Sequence, residues 1–136
     1  MMENQGMSFV AEAKRRFDPI AQQFGMACVV SSDRVLRYEN ARVVLTIIQD
    51  SRGSGELGVE LGSMKRRLRG PAYSLADVLH LNGAQDAAWV SGLMVADQAL
   101  LPGALSRLAD LTVKYASDLL SGREFSFARL ESFRNK

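Results

Sequence analysis

The residues whose types and spacing most invite a chemical interpretation form a basic stretch near the middle of the chain. Four positive side chains fall within five residues: Lys65, Arg66, Arg67 and Arg69. Such a cluster can bind nucleic acid, because each phosphate contacted by Lys or Arg releases a counterion. Single-strand binding also uses aromatic platforms, and the nearest aromatic residue here is Tyr73. We favour the interpretation of this stretch as a solvated connector with Leu68 turned inward. A contact patch for an acidic protein partner is the second choice, and a nucleic-acid site is the third.

Three glycines and one glutamate fall in the segment 52–58, "RGSGELG". A phosphate-binding P-loop needs a Lys-Ser/Thr pair that opens a helix, and a dinucleotide site needs a helix after its glycines. These glycines lead into a strand instead, so the segment is predicted to be a hairpin loop. Glu56 and Glu60 lie on one face of that strand, roughly 13 Å apart, which exceeds the separation of paired glycosidase carboxylates. We expect surface charge, and a partner contact together with Arg37 is the alternative.

The single histidine and the single cysteine do not form a recognisable constellation. His80 has no second histidine one turn away, as a zinc site would require, and is expected to be partly buried at a helix end. Cys28 lies in an apolar strand and is expected to be a small buried side chain. The serines show no nucleophile-elbow pattern. Trp89 is expected in the core, with a partner anchor as the alternative. We therefore expect no enzyme, metal or cofactor.

The composition is that of a globular domain. The 136 residues favour one domain spanning 1–136, with residues 1–7 expected to be disordered. Apolar residues make up 47% and charged residues 24%, and the net charge of +2 is too small to point to nucleic acid. We find no secretory signal and no apolar run of membrane-spanning length, so we expect a cytoplasmic protein without a membrane contact.

The N-terminal segment has a helical pattern. Ser8 is a candidate N-cap, and Phe9, Ala13 and Phe17 recur every four residues on one face. Glu12, Arg15 and Arg16 fall off this face, so we expect them in water. Asp18-Pro19 is predicted to interrupt the helix, because a residue before proline avoids the helical region. A short second helical turn is predicted over 19–24, with Asp18 as its N-cap and Gly25 at its end.

Four strands are predicted next, over 26–32, 34–39, 42–49 and 56–62, joined by short turns as an antiparallel meander. Pairing Gln49 with Gly55 and Glu39 with Arg42 assigns the faces, although a slip of one residue would reverse them. The buried face then carries Leu36, Tyr38, Val43, Leu45, Ile47, Leu57, Val59 and Leu61. The other face carries Arg37, Val44, Thr46, Ile48, Glu56 and Glu60.

Helical patterns fill the C-terminal half. Ser74 and Asp77 resemble a capping box, a long amphipathic helix is predicted over 104–120, and Gly122 is placed as its C-terminal cap. The segment 84–101 is rich in small and apolar residues, but Gly92 weakens a helical assignment. Helix, four strands and then helices predict an α+β domain with the C-terminal helices on one sheet face.

Several segments resemble small bacterial domains, some of which are counted among the immunity proteins of polymorphic toxin systems. The segments are "RRFDPIAQQFGMACVV", "VLRYENARVVLTIIQDSRGSGELGVELG", "YSLADVLHL" and "LLSGREFSFARL". The resemblance is carried by structural features and transfers no functional residue. It implies a non-catalytic binder that neutralises a cognate toxin through surface complementarity.

Three functions remain open at this point. The first is a protein-binding module of the immunity type, using Lys65, Arg66, Arg67 and Arg69 or the sheet residues Arg37, Glu56 and Glu60. The second is a structural, assembly or chaperone-like protein, including a homodimer. The third is a weak nucleic-acid binder through the basic stretch.

Overall fold

The structure is a computed structural model that describes residues 8–50, 55–64, 72–95 and 97–134. Its elements follow the order helix, sheet, helices, and the α+β class with an antiparallel sheet is confirmed. They are α1 (Phe9–Gln23), β1 (Ala27–Ser31), β2 (Val35–Glu39), β3 (Val43–Gln49), β4 (Leu57–Ser63), β5 (Tyr73–Ser74), α2 (Leu75–Leu81), α3 (Ala87–Val90), a 3₁₀ turn (Gln98–Leu100), α4 (Leu101–Leu120) and α5 (Glu124–Arg134). Within these ranges, none of the helices combines the length and apolar character needed to cross a bilayer.

The sheet has five strands in the order β1-β2-β3-β4-β5, each antiparallel to its neighbour, where the sequence predicts four. The additional strand is only two residues long, Tyr73–Ser74, and pairs with Leu61 and Glu60 of β4. Two residues are too few to display an alternating pattern, so the sequence gives no strand signal there. Met94 adds an isolated bridge to Glu56 at the same edge.

The two faces of the sheet are assigned correctly from the sequence, but the pairing is shifted. Glu39 pairs with Val44, two residues beyond Arg42, and Gln49 pairs with Leu57, two residues beyond Gly55. Side chains alternate with a period of two, so a shift of two residues leaves each of them on the same face. The predicted apolar row is therefore buried: Leu36, Tyr38, Val43, Leu45, Ile47, Leu57, Val59 and Leu61.

Helix α1 begins at the predicted N-cap, where the Ser8 side chain accepts a hydrogen bond from the Ala11 amide. The predicted break at Asp18-Pro19 is wrong, because the helix continues to Gln23 with Pro19 inside it. Proline removes one backbone hydrogen bond, yet Ile20 and Ala21 bury on the same side as Phe17 and hold the last turn against the core.

The expectation that Glu12 meets water is also wrong. Glu12 is only 7% exposed, and its Oε1 has no partner among the described residues. Helix α1 packs against α4, so its buried stripe is wider than the row of Phe9, Ala13 and Phe17 and includes the neighbouring position. The Oε2 atom of Glu12 lies 4.0 Å from the Arg15 guanidinium, which is itself exposed.

The C-terminal helices pack on the buried sheet face, as predicted. Helix α4 contacts β3 and β4, and α5 contacts β4 and brings Phe127 within 6.3 Å of the Tyr73 ring. Gly122 follows α4 with φ of 78°, which confirms it as the C-terminal cap. Among the described residues of 84–101, the helical elements before α4 are the short helix α3 and the 3₁₀ turn.

Candidate functional site

The predicted binding residues do not all fall in the part of the chain that the structure describes. Lys65, Arg66, Arg67 and Arg69 lie outside the described residues, so the basic stretch stays a sequence-based prediction. Arg37, Glu56 and Glu60 are described. They belong to β2, to the bridge before β4, and to β4.

Arg37 and Glu60 share one transverse row of the sheet. Arg37 pairs with Thr46 on β3, and Thr46 pairs in turn with Glu60 on β4, so one residue separates the cation from the carboxylate. Val30 and Ser74 extend the row to β1 and β5. The Arg37 Nε donates a hydrogen bond of 3.3 Å to the Thr46 hydroxyl, which holds the arginine side chain against the sheet. Thr46 is only 4% exposed in consequence.

Apolar side chains flank this charged row on the face opposite the helices, which we call the open sheet face. Val35 and Ile48 are cross-strand partners on one side of the row, and Val44 lies on the other side, opposite Glu39. Val35, Val44 and Ile48 are partly exposed, and so is Val30 within the row. The solvated face of an antiparallel sheet normally reads as polar, so these branched apolar side chains depart from the usual pattern.

A groove of about 520 Å³ runs beside the open sheet face, and we call it the β4 groove. Gly58 and the neighbouring β4 residues form its floor, and Ile48 belongs to its wall on the β3 side. Ala76, Asp77 and His80 of α2 line the opposite side, and residues 90–93 also contribute to the lining. This groove is not predicted from the sequence, because it depends on how α2 and the segment after α3 return to the β4 edge.

Carboxylates dominate the charge of the β4 groove. Its described lining holds four of them, and neither Lys nor Arg is among those residues: Asp50, Glu56, Glu60 and Asp77. Asp77 also accepts a hydrogen bond from the Ser74 amide and lies 3.9 Å from Arg134. Asp50 and Glu56 have further interactions of their own. In the described ranges, no group of three or more His, Cys, Asp and Glu side chains is arranged to hold a metal ion.

His80 is exposed, where the sequence predicts partial burial, because it lies on the side of α2 that faces the groove. Its Nε2 lies 3.3 Å from the Ser91 hydroxyl. A serine nucleophile also needs a third group that orients the histidine. The Ser91 contact is the one hydrogen bond that the described part of the chain gives to the His80 ring.

Cys28 is exposed as well, because β1 is an edge strand whose side chains are mostly solvated. The register shifts at Val29, between Cys28 and Val30, which is an irregularity typical of protected sheet edges. The prediction of a buried cysteine is therefore wrong.

Trp89 packs partly against the core, as expected, but one side of its ring is covered by a cation. The Arg107 guanidinium lies 4.0 Å from the centre of the indole and forms a 2.7 Å ion pair with Asp86. This cation–π contact joins α3 to α4, so that side of the indole is covered by a residue of the same chain.

A second cavity, of about 460 Å³, is lined by Ala41, Arg42, Met64, Gly122 and Glu124. It lies where the β2–β3 turn meets the end of α4, beside a 2.7 Å hydrogen bond from the Ser63 hydroxyl to Glu124. Among these two cavities, the β4 groove alone adjoins the predicted residues Glu56 and Glu60.

No known protein family, curated protein or solved structure matches the chain.

Proposed function

We propose that the chain is a non-catalytic protein-binding module and that the open sheet face is its contact surface. The observation that carries the proposal is the set of partly exposed branched side chains around the Arg37–Thr46–Glu60 row. Partly exposed apolar side chains beside a few charged groups are a feature of surfaces where proteins meet. Arginine is also enriched at such contacts.

The row of charges would set specificity. Arg37 and Glu60 present opposite charges on either side of Thr46. A partner must therefore place a charge of opposite sign against each of them. Complementary charges of this kind select partners and speed their encounter more than they raise affinity. The apolar neighbours Val44 and Ile48 would supply the buried area.

The narrower proposal, an immunity protein that neutralises a cognate toxin, rests on the resemblance described above. Such a role requires a stable scaffold and one complementary surface, and a five-stranded sheet backed by packed helices is compatible with it. The geometry by itself supports protein binding, and the resemblance adds the class of partner.

The test is affinity capture from the source organism with the wild-type chain and three variants. Val44→Arg and Glu60→Lys alter the open sheet face. Asp110→Lys makes the same charge reversal on an exposed position of α4 and is the matched control. Far-UV circular dichroism and Trp89 fluorescence verify that each variant is folded.

We expect one protein to be recovered in stoichiometric amount with the wild-type chain and with Asp110→Lys, and to be lost with Val44→Arg and Glu60→Lys. Recovery of the same protein with all four chains would place the contact elsewhere and overturn the proposal. Recovery of no protein with the wild-type chain would also contradict it.

A further inference from the structure

Gly58 lies in the floor of the β4 groove, and nothing in the described part of the chain requires a glycine there. Its φ is not among the positive values that favour glycine, and a Cβ atom built on it would meet no atom within 4 Å. Glycine inside a strand costs roughly 0.5–1 kcal/mol relative to alanine. A strand glycine often marks a place where a ligand or another backbone approaches closely. The open space above Gly58 therefore points to an external group.

The chemistry of the lining specifies the charge of that group. Glu60 follows Gly58 by two residues on the same face of β4, and Asp77 faces the groove from α2. Among the described lining residues the side chains with a fixed charge are all carboxylates. A cation entering the groove would meet Glu60 on the strand and, on the helix, Asp77, whose carboxylate also accepts the Ser74 amide and lies 3.9 Å from Arg134.

The apolar lining specifies the shape of the group. Ile48 and Ala76 lie toward the two sides of the groove, and Leu93 belongs to the segment at its edge. A Lys or Arg side chain can lay its hydrocarbon stem along such surface while its charged head reaches a carboxylate. The volume of about 520 Å³ falls within the range of about 300–1,000 Å³ typical of ligand sites.

We propose that the β4 groove receives an extended basic segment of a protein partner, whose backbone crosses Gly58 and whose Lys or Arg side chain lies against Glu60 and Asp77. The inference rests on the proposed function, because Ile48 and Glu60 belong both to the groove and to the open sheet face. A partner seated on that face therefore has a continuous path into the groove.

Peptide binding tests the groove directly. The probe is a fluorescein-labelled twelve-residue peptide of four Gly-Lys-Ala repeats, with a Gly-Glu-Ala peptide of equal length as its control. Fluorescence anisotropy is measured with the full chain at about 20 mM and about 200 mM salt, because surface charge interactions are screened as ionic strength rises. Spermine serves as a competitor that carries charge without a peptide backbone.

Two variants change the groove without a buried substitution. Gly58→Val fills the open space above the strand floor, and the absence of any atom within 4 Å of its Cβ predicts an unchanged or higher melting temperature. Glu60→Gln removes one acceptor charge at constant size. Gly103→Ala and Asp110→Asn are matched controls on α4, away from the sheet.

We expect the wild-type chain to bind the lysine peptide at low salt and to bind the glutamate peptide at least about tenfold more weakly, which corresponds to ~1.4 kcal/mol. Gly58→Val should abolish binding, Glu60→Gln should weaken it about fivefold or more, and the two controls should leave it unchanged. Absence of lysine-peptide binding, or equal binding by Gly58→Val, would overturn the inference. Displacement by spermine at equal or lower concentration than unlabelled peptide would also overturn it, in favour of a small-polyamine site.

Partner capture separates this inference from the proposed function. If Gly58→Val still recovers the partner that Val44→Arg loses, the groove is unoccupied in the complex and only the inference fails. If both Gly58→Val and Val44→Arg retain the partner, the inference and the proposed function both fail. Loss of the partner with both variants supports both statements.

Discussion

Tyr38 shows how a single buried polar group is accommodated in the core. Its ring is almost fully buried, and its hydroxyl donates a short hydrogen bond to the Asp18 carboxylate on α1. Lys14 lies 3.5 Å from the same carboxylate. Burial raises the pKa of Tyr38, and the hydrogen bond to Asp18 and the negative charge of Asp18 raise it further. The phenol therefore stays protonated in the folded protein well above the usual range.

This raised pKa predicts a stability that declines in alkaline solution. In the unfolded chain Tyr38 loses its proton near pH 10, whereas in the folded chain it keeps the proton, so the native state binds more protons above that pH. The contribution of Tyr38 is complete below about pH 10 and is lost as the pH rises further. We expect Tyr38→Phe to lower the free energy of unfolding at pH 7 by about 1 kcal/mol and to flatten its decline above about pH 10.

Urea unfolding monitored by circular dichroism between about pH 7 and pH 11 measures both effects. Tyr115→Phe, at a partly exposed position of α4, is the control and should change neither quantity. An alkaline decline in Tyr38→Phe as steep as that of the wild-type chain would contradict the assignment.

Gly122 is required both by its backbone and by its neighbour. Its φ of 78° lies in the left-handed region, and a Cβ there would lie 2.6 Å from Arg42 Cδ and 2.7 Å from Arg42 Cβ. We expect Gly122→Ala to lower the free energy of unfolding by about 1–3 kcal/mol. Gly103→Ala, in α4 with free space around its Cβ, should instead leave stability unchanged or raise it.

Removing the side chain of Arg42 divides the Gly122 effect into its two causes. In an Arg42→Gly background the contacts with Cβ, Cγ and Cδ are all absent, so Gly122→Ala should cost less there, while the cost of the left-handed backbone remains. Thermal and urea unfolding of the four chains completes the cycle. Equal stability of the wild-type chain and Gly122→Ala would show that neither constraint holds.

Helix α2 is short, and its start depends on a reciprocal cap. The Ser74 hydroxyl accepts a hydrogen bond of 3.1 Å from the Asp77 amide, and the Asp77 carboxylate accepts one of 3.3 Å from the Ser74 amide. Ser74 is also the last residue of β5, so the same residue ends the sheet and opens the helix that lines the groove. The sequence predicts this cap because Ser and an acidic residue three positions later satisfy two otherwise unpaired amides.

We expect Ser74→Ala to lower the free energy of unfolding by about 1 kcal/mol, since one amide loses its partner and seven residues are too few for a helix to persist by itself. Ser106→Ala, inside α4, removes a hydroxyl from a position that caps nothing and is the control. Urea unfolding measures the difference. Equal midpoints for the two variants would contradict a capping role for Ser74.

The elements that the sequence predicts poorly are those in which tertiary packing outweighs local preference. Pro19 is a strong local signal for a break, but the burial of Phe17 and Ile20 carries α1 through it. The segment 84–101 has apolar residues enough for a long helix, yet Gly92 adopts a φ of 70° and the chain returns to β4 at Leu93. The break at Gly92 agrees with the weakened helical assignment made from the sequence. The continuation of α1 through Pro19 and the return of the chain to β4 depend instead on contacts with residues distant in sequence.

Arg134 joins α5 to the edge of the sheet at β5. It donates a hydrogen bond of 3.0 Å to the Ala72 carbonyl, lies 4.0 Å from the centre of the Tyr73 ring, and is 3.9 Å from Asp77. These contacts connect the last helix to the junction of β5 and α2. The α2 side of the β4 groove is thus supported from the far end of the described chain.

We expect Arg134→Ala to lower the free energy of unfolding by about 1–2 kcal/mol, mainly through the lost hydrogen bond and the lost ring contact. Arg129→Ala, at an exposed position of α5, is the control. Unfolding followed by Trp89 fluorescence and by far-UV circular dichroism should remain one coincident transition. Unchanged stability in Arg134→Ala would show that the last helix does not support the sheet edge.

Across the whole molecule, the sequence predicts the class, the sheet faces and the caps, because period-two alternation and capping residues act locally. Arg37 and Glu60 could therefore be placed on one face. The predicted pairings also place them in one transverse row, but with Val44 between them. That Thr46 separates them instead could not be predicted, because the register depends on how the turns after Glu39 and Gln49 close. The β4 groove could not be predicted from the sequence for a similar reason, because the segments that form its two sides are far apart in the chain.

The exposed thiol on the first strand has a practical consequence. Cys28 is the chain's single cysteine and Trp89 its single tryptophan, and both are native residues. Cys28 lies on the β1 edge, whereas the segment after Trp89 returns to the opposite side of the sheet at Leu57. A maleimide dye that absorbs indole emission would therefore create an energy-transfer pair across the sheet, and the fall of that transfer on unfolding would report the loss of the fold without engineering the protein.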